Sequence, residues 1–542
     1  MTPQITMPKF YVSCSKQTDC LMILFVIVLF VSTGLSETTY DVKNPPTWKV
    51  LADRRLSRLK RSVQIPHPKN VIIFIGDGMS VGTVTATRYT RAYDQGKPAG
   101  DVLMEWEEWT DAGLMRTFCA DKMTTDSAAA ATALFGGEKG HIFTIGVTGP
   151  VDCCKCTKIP RKNQVKSIFL YAQDRGLSTG LVTTTRVTHA TPAGAYAVTQ
   201  NRDWEMSVPS KLPGTVRCED IASQLVHHGV NFNVILGGGH SQFYGSPEPE
   251  TPPVRGKRTD GQNLIRNWIS KQAARSRRYA VVFNRTELRL VDTSKTDYLL
   301  GLLARSHMQY DLLRNDQPSL EEMTKTAIEI LSRNPKGYLL MVEGGRIDHG
   351  HHSNKAKIAI TETLALEMAV KRSLNLTNPE ETLIIVTADH SHAFSLQGYA
   401  HRDKSVLDID DTQNAKDGMS YLISTYTNGP GAELNKTRGN PKLHKRFNEK
   451  YRQQALIPLS ASTHNPEDVP IYATGPFSDL FRGTMDNTYL AYAAMYSLCI
   501  GPYQNESHCV NTMKNSVLIP PNRVCSHSFI TVFTVLFTMW TG

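Results

Sequence analysis

The sequence predicts an α/β fold with a large, mostly parallel central sheet that is flanked by helices on both faces. Two observations carry this prediction. Short apolar, β-branched runs end in polar or glycine-rich turns, as strands buried on both faces of a sheet do. Stretches in which apolar residues recur at three- and four-residue spacing, typical of amphipathic helices, separate these runs.

The runs that we assign to strands lie at 71–75, 181–185, 234–236, 338–342 and 383–387. The clearest helical patterns are Leu320–Leu331 and 356–370. In such sheets ligands bind beyond the carboxyl ends of the strands. Polar residues that directly follow a run are therefore the first candidates for a functional site.

Two stretches differ from this core, which we place at 67–396 and 461–512. Residues 397–460 are rich in Asp, Asn, Lys, Gly and Tyr and lack long periodicity, which indicates an insertion or a small subdomain. Residues 37–66 precede the first strand and are basic and partly helical in pattern, which indicates an N-terminal arm.

The net charge of +10 raises the question of nucleic-acid binding. The positive charge is scattered, with denser patches at 54–61 and 255–278. These patches lack the interleaved aromatic residues of proteins that bind single strands, so we predict no nucleic-acid-binding module.

Both termini carry targeting signals. An apolar run at 21–31 follows two lysines and precedes small residues, which predicts a signal peptide over 1–36, with an uncleaved anchor as the alternative. A terminal apolar tail at 529–540 predicts a GPI-anchor signal over 513–542, with attachment at Asn515 or Ser516. A single-pass helix is the alternative, but the tail is short for a bilayer. We therefore expect an anchored protein on the outer leaflet of the plasma membrane.

Export makes disulfides and glycans plausible. Three of the ten cysteines lie in the terminal signals, so seven remain, and their odd number leaves one thiol free or intermolecular. Cys499 and Cys509 are close enough to close a small loop, and one of the cysteines at 153–156, for which we take Cys156, can pair with Cys218. The Asn-x-Ser/Thr sequons stand at Asn284, Asn375, Asn435 and Asn505.

Acidic and histidine residues follow three of the predicted strands. Asp77 stands in a Gly-Asp-Gly turn, and Glu343 directly follows the run at 338–342. Asp348 and His352 have the i, i+4 spacing that places two ligands on one helical face. A third strand leads into Asp389 and His390, a pair that suits zinc, with His392 as a neighbour. Together these residues predict metal sites, although Asp77 alone also fits an ordinary turn.

The other chemically capable residues are less specific. Ser127 lies where a loop meets an alanine-rich helix, and the helix N-terminus favours both an alkoxide and a bound phosphate. Asp126 and Ser127 also suit a plain helix cap. Arg202 fits a phosphate clamp or an ordinary surface residue. The remaining candidates of this kind are His189, Thr191 and His464.

Between about residues 44 and 509 the chain closely resembles the animal alkaline phosphatases. The resemblance rests on motifs that occur in the family's order: GDGM, TDS, TTTRVTHATPAGAYA, NRDW, VEGGRIDHGHH, TADHSH and THNPEDVPIYATGP. It implies a homodimer, an N-terminal arm and a crown-like insertion. It also implies two zinc ions and one magnesium ion in each subunit.

The resemblance assigns a role to each candidate. It implies that Ser127 is the nucleophile, bound between the metals, and that Arg202 clamps phosphate. The first zinc site matches Asp348, His352 and His464. The second zinc site matches Asp77, Asp389 and His390. The magnesium site matches Asp77, Thr191 and Glu343. Behind these ligands, two positions that the animal enzymes fill with histidine match His189 and His349.

The chain also departs from the family. Thr191 replaces the usual serine of animal members, and its hydroxyl is expected to coordinate equally well. Mammalian members carry a calcium site, but Ala304 stands where a glutamate is expected and Gln317, or its neighbour, where an aspartate is expected, which leaves Glu250 as a match. We therefore doubt a calcium site.

The predicted function is hydrolysis of phosphate monoesters of broad type, at alkaline pH, through a phosphoserine. A sulfatase would need a C/S-x-P-x-R setting, whereas Ser127 is followed by three alanines. A nucleotide phosphodiesterase would normally use threonine and lack the third metal site. A catalytically dead surface protein would be expected to lose some of the ligands, and all of them are present.

Overall fold

The computed structural model describes residues 45–58, 67–208, 218–227, 230–245, 256–433 and 437–510. The predicted signal peptide and GPI-anchor signal lie outside these ranges, as do Asn435, Glu250, Asn515 and Ser516. Within the described ranges, no helix has both the length and the apolar composition to cross a bilayer.

Seventeen β-strands and twelve α-helices follow one another along the described residues. The helices are α1 Pro45–Arg58, α2 Val81–Asp94, α3 Ser127–Gly136, α4 Ile168–Arg175, α5 Ala190–Ala193, α6 Ile221–His227, α7 Leu264–Ala273, α8 Arg285–Arg289, α9 Leu320–Leu331, α10 Arg346–His352, α11 Ala356–Leu376 and α12 Tyr489–Ser497. The strands are β1 Asn70–Gly76, β2 Asp111–Arg116, β3 Ser178–Arg186, β4 Val234–Gly238, β5 Tyr279–Val282, β6 Tyr298–Leu302, β7 Tyr338–Gly344, β8 Thr382–Thr387, β9 Ser391–His392, β10 Phe394–Leu396, β11 Ile409–Asp410, β12 Tyr421–Leu422, β13 Ser424–Gly429, β14 Ala455–Pro458, β15 His464–Asn465, β16 Val469–Thr474 and β17 Gly483–Asp486.

One ten-stranded sheet organises the core, in the order β17-β2-β16-β8-β1-β7-β3-β4-β6-β5. Every neighbouring pair is parallel except those that β16 makes with β8 and β2. Each of the five predicted strands is present, so the predicted fold class is confirmed. The apolar cores of β7 and β8 are buried along their whole length, as strands between two layers of helices must be.

The sequence did not predict the strands at one edge of the sheet. In β2, buried and exposed residues alternate, so the segment shows no continuous apolar run. In β16 a proline interrupts the pattern, and prolines are uncommon in sheet interiors. These segments become strands because they pair with neighbouring strands in the folded chain, and their local sequence does not show it.

Outside the main sheet, the described part of residues 397–460 forms short strands and one turn of 3-10 helix, Pro441–Leu443. β13 pairs with β10 and β14, and β11 pairs with β12. A second small apolar cluster joins this segment to the core: Phe394, Val406, Leu407, Ile423 and Tyr426 pack with Ala86 of α2 and with Ala356 and Ile360 of α11.

The described part of the predicted arm is α1, and it lies against the core of its own chain. Trp48, Ala52 and Leu56 are buried in the main apolar cluster. Asp53 accepts a 2.8 Å hydrogen bond from the hydroxyl of Tyr503. The boundaries of the arm, core and insertion stay predictions.

The described cysteines form three disulfides. Cys156 is bonded to Cys218, and Cys499 to Cys509. The neighbours Cys153 and Cys154 are also bonded, a pair that the sequence did not predict. Among the described cysteines this leaves Cys119 as a buried thiol. Of the described sequon asparagines, Asn375 and Asn505 are exposed and Asn284 is half-buried as the cap of α8.

Candidate active site

Parallel pairing brings three carboxylates to one edge of the sheet. Ile75 of β1 pairs with Glu343 of β7 on one side and with Thr387 of β8 on the other. The carboxyl ends of these strands therefore coincide, and Asp77, Glu343 and Asp389 emerge beside one another, each fully buried. The tight turn after β1 depends on Gly78, whose φ is +72° and whose added Cβ would meet the backbone of Asp348.

The first group of ligand atoms comes from three separate parts of the chain. One atom from each of Asp348, His352, His392 and His464 lies within 4.8 Å of the others. Nε2 of His464 is 3.3 Å from Oδ1 of Asp348 and 3.2 Å from Nε2 of His352. Such a set of one carboxylate and clustered imidazoles matches the donor chemistry of zinc.

Local structure explains this group. Asp348 and His352 are one turn apart on α10, so both face the same side. His464 reaches them because β15 pairs with β9, which places His464 opposite His392. Nε2 of His392 lies 3.2 Å from Oδ1 of Asp348 and keeps that carboxylate in place. The sequence treated His392 as a neighbour and left His464 without a local partner.

A second group consists of Asp77, Asp348 and His390, and the hydroxyl of Ser127 faces it. Nε2 of His390 is 3.2 Å from Oγ of Ser127, 3.2 Å from Oδ2 of Asp389 and 3.5 Å from Oδ1 of Asp77. Oδ1 of Asp389 accepts hydrogen bonds from the backbone N–H groups of Gly78 and His390, which leaves Oδ2 for another partner.

A third group consists of Asp77, His189 and Glu343. Hydroxyl groups of Thr183 and Thr185 donate to Oε2 of Glu343 and so fix that carboxylate. Thr191 is fully buried on α5, and its hydroxyl group lowers the pKa of the same carboxylate. The donors are predominantly oxygens, the type that magnesium prefers.

Ser127 is the first residue of α3. Asp126 caps the helix, because its side chain accepts a hydrogen bond from the backbone N–H of Ala129. The other carboxylate oxygen of Asp126 accepts a 2.9 Å hydrogen bond from Nη1 of Arg202. The loop that carries Arg202 thus lies against the N-terminus of α3, where anions are favoured. The sequence missed this second role of Asp126, although it identified the cap.

The buried carboxylates repel one another, and bound cations would reduce this repulsion. Burial, followed by the charges of Asp389, Asp348 and Glu343, raises the pKa of Asp77 well above its usual range. Burial raises the pKa of Glu343 to about 7 and that of Asp389 to about 6. Neither oxygen of Asp77 accepts a hydrogen bond from a described residue. A buried carboxylate that accepts no hydrogen bond from the described residues, as in Asp77, fits a divalent metal ion.

The imidazoles of the site differ in the direction in which their pKa values are shifted. Burial lowers the pKa of His352, but the Asp348 carboxylate outweighs burial and raises that pKa to about 9. Burial lowers the pKa values of His189 and His390 well below the usual range. It also lowers the pKa of His349 to about 3. A histidine that the sequence did not single out, His307, joins His189 and His349 in a further cluster.

At the doubtful calcium position, the oxygens of Ala304 and Gln317 have hydrogen-bond donors within the protein. The backbone oxygen of Ala304 already accepts hydrogen bonds from Gly239 and His240. The side-chain oxygen of Gln317 accepts one from the backbone of Gln309. Glu250 lies outside the described residues.

Comparison with known proteins places this site in a family. The family model described as alkaline phosphatase matches residues 68–500. The tissue-nonspecific isozyme of alkaline phosphatase from Felis catus is 38% identical over 506 residues, which cover 90% of this chain and 95% of that protein. The human isozyme is 37% identical over 507 residues, with the same coverage of both chains. A protein named membrane-bound alkaline phosphatase from Bombyx mori is 37% identical over 467 residues, or 84% of each chain.

Solved structures agree on the fold. The alkaline phosphatase of Thermus thermophilus superimposes with a TM-score of 0.59 at 23% identity, and the match covers 83% of this chain and 97% of that one. The alkaline phosphatase of the Antarctic bacterium TAB5 gives a TM-score of 0.57 at 23% identity, with 81% and 100% covered.

Proposed function

Because the chain belongs to the alkaline phosphatase family of phosphoric monoester hydrolases, we propose that it hydrolyses phosphate monoesters through a phosphoserine at Ser127, with two zinc ions and one magnesium ion. The observation that carries this proposal is the position of the Ser127 hydroxyl. It lies at the start of α3, 3.2 Å from Nε2 of His390, beside a group of buried metal-type ligands.

Each of the three groups of ligand atoms overlaps one metal assignment, although the first group also contains His392, the second contains Asp348 where the assignment has Asp389, and the third contains His189 where the assignment has Thr191. Asp348, His352 and His464 would hold the first zinc. Asp77, Asp389 and His390, with Ser127, would hold the second zinc. Asp77, Thr191 and Glu343 would hold magnesium. When bound, the ions act as Lewis acids that lower the pKa of a hydroxyl group or water and neutralise charge on the phosphate.

The chain's own residues supply positioning and charge. Arg202, held by Asp126, presents two parallel N–H groups that can bind two phosphate oxygens. The N-terminus of α3 adds favourable dipole interactions with the phosphate. His392 orients the Asp348 carboxylate. Because the transition state of phosphoryl transfer is loose, positioning and charge neutralisation account for most of the catalysis.

The reaction then has two displacements. Oγ of Ser127 forms a bond to phosphorus, and the ester P–O bond breaks, so that the alcohol oxygen leaves with the electron pair and takes up a proton. Water next attacks the phosphoserine, which releases inorganic phosphate and restores the hydroxyl. Two inversions give net retention at phosphorus. No part of this scheme requires a pocket for the alcohol, which supports broad substrate specificity.

Hydrolysis of 4-nitrophenyl phosphate by the purified protein, before and after chelation, tests the proposal. Ser127→Ala should lose at least about a thousandfold in kcat while keeping its zinc. Ser497→Ala, which removes a buried hydroxyl in α12, is the matched control. Near-normal turnover by Ser127→Ala, or full activity without metal, would contradict the proposal.

We also propose a homodimer anchored to the cell surface by GPI. Exposed apolar side chains in the insertion support a subunit interface: Tyr399, Leu443 and Leu456 are 81%, 83% and 79% exposed. The terminal apolar tail and the name of the Bombyx mori relative support membrane attachment. Release of activity from cells by a phosphatidylinositol-specific phospholipase, and the mass of the released protein, test both proposals.

A further inference from the structure

Tyr426 and Asn428 lie two residues apart on β13, a strand of the segment 397–460. Residues at this spacing point to the same side of a strand. Tyr426 is 3% exposed, and Asn428 is half-buried. Their side chains contact two parts of the chain that carry ligands of the proposed first zinc site, namely α10 and the residues just before His464.

Tyr426 binds a buried histidine of α10. The hydroxyl group of Tyr426 lies 2.9 Å from Nδ1 of His351, and Oγ1 of Thr83 lies 2.9 Å from Nε2 of the same ring. His351 and Thr83 are fully buried. Because Thr83 belongs to α2, this one imidazole joins three elements of the fold. It restricts movement of α10, which also carries Asp348 and His352.

Asn428 holds the segment that leads into His464. Oδ1 of Asn428 accepts a 2.8 Å hydrogen bond from the backbone N–H of Thr463, and Nδ2 of Asn428 donates to Oγ1 of Thr463 at 2.9 Å. The hydroxyl of Ser462 also donates to Oδ1 of Asn428, at 3.3 Å. One amide side chain therefore binds both residues that precede His464, and it fixes the backbone from which this imidazole extends.

The same segment orients a second imidazole of the site. Nδ1 of His352 lies 2.5 Å from the backbone oxygen of Ser462. An imidazole whose Nδ1 donates keeps a free electron pair on Nε2, the nitrogen that lies 3.2 Å from Asp348. Nδ1 of His464 likewise lies 3.0 Å from the backbone oxygen of Thr125. Carbonyl groups that orient ligand imidazoles in this way change metal affinity by about 10–100-fold.

A further contact ties β13 to the end of α10. Asn354, two residues beyond the helix, is fully buried. Its Nδ2 donates to the backbone oxygen of Asn428 at 3.1 Å, and its Oδ1 accepts a 2.7 Å hydrogen bond from the backbone N–H of Gly431. Gly429 permits this approach, since an added Cβ would meet the side chain of Asn354. β13 is thus bonded to α10 as well as to the segment before His464.

We propose that β13 positions the ligands of the first zinc site through Tyr426 and Asn428, so that the segment 397–460 controls the affinity for this zinc. The inference rests on the proposed function, which assigns this zinc to Asp348, His352 and His464. His352 and His464 are 112 residues apart in the chain, and β13 is bonded to the surroundings of both. Tyr426 and Asn428 act through other residues and are positioning residues.

Zinc affinity tests the proposal directly. We would measure zinc binding of the full chain by competition with a chelator at buffered free zinc. Asn428→Ala and Tyr426→Phe should each raise the Kd for one zinc about tenfold and leave the other metals bound as in the wild type. The matched controls are Asn440→Ala and Tyr421→Phe, whose side chains make hydrogen bonds within the segment 397–460. Both controls should bind zinc as the wild type does.

Two further measurements separate positioning from a general loss of structure. In the His464→Asn background, which is expected to lack the first zinc, Asn428→Ala should remove no further zinc, because both substitutions affect the same site. At saturating free zinc, hydrolysis of 4-nitrophenyl phosphate by Asn428→Ala should return close to the wild-type rate. Tyr426→Phe removes a single oxygen atom, so it keeps the test valid if Asn428→Ala fails to fold.

Unchanged affinity for this zinc in both Asn428→Ala and Tyr426→Phe would overturn the proposal. Parallel loss of the other zinc or of magnesium would also overturn it, because the effect would then not be specific to the first site. A wild-type protein that binds no zinc would instead contradict the proposed function.

Discussion

Oδ2 of Asp126 accepts a 2.9 Å hydrogen bond from Nη1 of Arg202, while Oδ1 of the same carboxylate caps α3. One side chain thus fixes both the helix that begins at Ser127 and the guanidinium group that we propose binds phosphate. The pair is nearly inaccessible to solvent, since the side chains of Arg202 and Asp126 are 16% and 4% exposed. Stability and phosphate affinity are therefore coupled at this point, and substitutions can separate them.

Substitution of Asp126 should separate the cap from the ion pair. Asp126→Ala removes both and should lower the free energy of unfolding by at least about 1 kcal/mol. Asp126→Asn keeps a capping oxygen and should retain most of that stability. Both variants should weaken inhibition by inorganic phosphate about tenfold, because Arg202 loses its fixed orientation. Urea unfolding and the inhibition constant for phosphate measure the two effects. Equal stability of the two variants would contradict the capping role.

Removal of the Arg202 guanidinium should affect phosphate binding more than the metals. Arg202→Ala should weaken phosphate inhibition by about ten- to a hundredfold, which corresponds to hydrogen bonds with a charged group. Arg202→Lys should recover only part of this loss, because an ammonium group cannot bind two oxygens in a fixed plane. Metal analysis of both variants should match the wild type. Unaltered phosphate inhibition in Arg202→Ala would show that this residue does not contact phosphate.

Replacement of His464 should remove one zinc ion. His464→Asn deletes an imidazole that lies 3.3 Å from Asp348 and 3.2 Å from His352. We expect the zinc content to fall by about one equivalent per subunit and the activity to fall at least about a hundredfold. His444→Asn, in the exposed part of the insertion, serves as the control and should keep its zinc. Full zinc content in His464→Asn would rule out this residue as a ligand.

The free energy of unfolding of the metal-free protein should depend on pH through the ionisation of Glu343. Burial raises its pKa to about 7, above the value of about 4.3 in an unfolded chain. Between these values the folded state binds a proton that the unfolded state lacks, so this group destabilises the fold as pH rises. Chelated Glu343→Gln should thus be about 3 kcal/mol more stable than chelated wild type at pH 8, but only about 1 kcal/mol more stable at pH 5, which lies closer to the pKa of the unfolded chain.

Urea unfolding of the chelated proteins at the two pH values measures this difference. The metal-loaded proteins are the control: there Glu343→Gln should be the less stable variant, because it loses a ligand. A stabilisation of the chelated variant that is the same at pH 5 and pH 8 would contradict ionisation of Glu343 as the cause.

A buried lysine far from the proposed chemistry should matter for stability alone. Nζ of Lys139 lies 3.1 Å from Asp486 and donates to Asn487, and the side chain is 1% exposed. Lys139→Met leaves the Asp486 charge with Thr488 and the more distant Arg116 as partners and should cost about 3 kcal/mol. The double variant with Asp486→Asn should recover part of this loss. Lys155→Met, which breaks an exposed pair with Asp152, should cost less than about 1 kcal/mol.

Thermal and urea unfolding of these variants measure the effects. Equal losses for Lys139→Met and Lys155→Met would contradict the assignment of Lys139 to a buried ion pair.

Central strands were predictable because their sequences are continuous apolar runs. β1, β7 and β8 are buried on both faces, so each of their residues carries the same signal. The runs also located Asp77, Glu343 and Asp389, since each follows the end of an apolar run. The strands β2 and β16 carry no such signal, because exposed residues interrupt β2 and a proline interrupts β16.

Residues whose partners in the site are distant in sequence could not be assigned to the site from local pattern. His464 and His392 meet through the pairing of β15 with β9. His307 belongs to none of the motifs that marked the other histidines, and only the return of the chain after β6 brings it to His189 and His349. The resemblance to a family identified His464, but it gave no role to His307.

By itself, the sequence determined the fold class, the ends of the central strands and the membership of a phosphatase family, because hydrophobic periodicity and contiguous motifs are local properties of the chain. Only the tertiary structure decided which side chains share a site: that Asp126 holds Arg202, that His392 faces Asp348, and that three histidines converge beside the proposed phosphate site. The physical reason is that ion pairs and hydrogen bonds depend on distances of a few ångströms between atoms, and such distances between remote segments are set by strand order and packing.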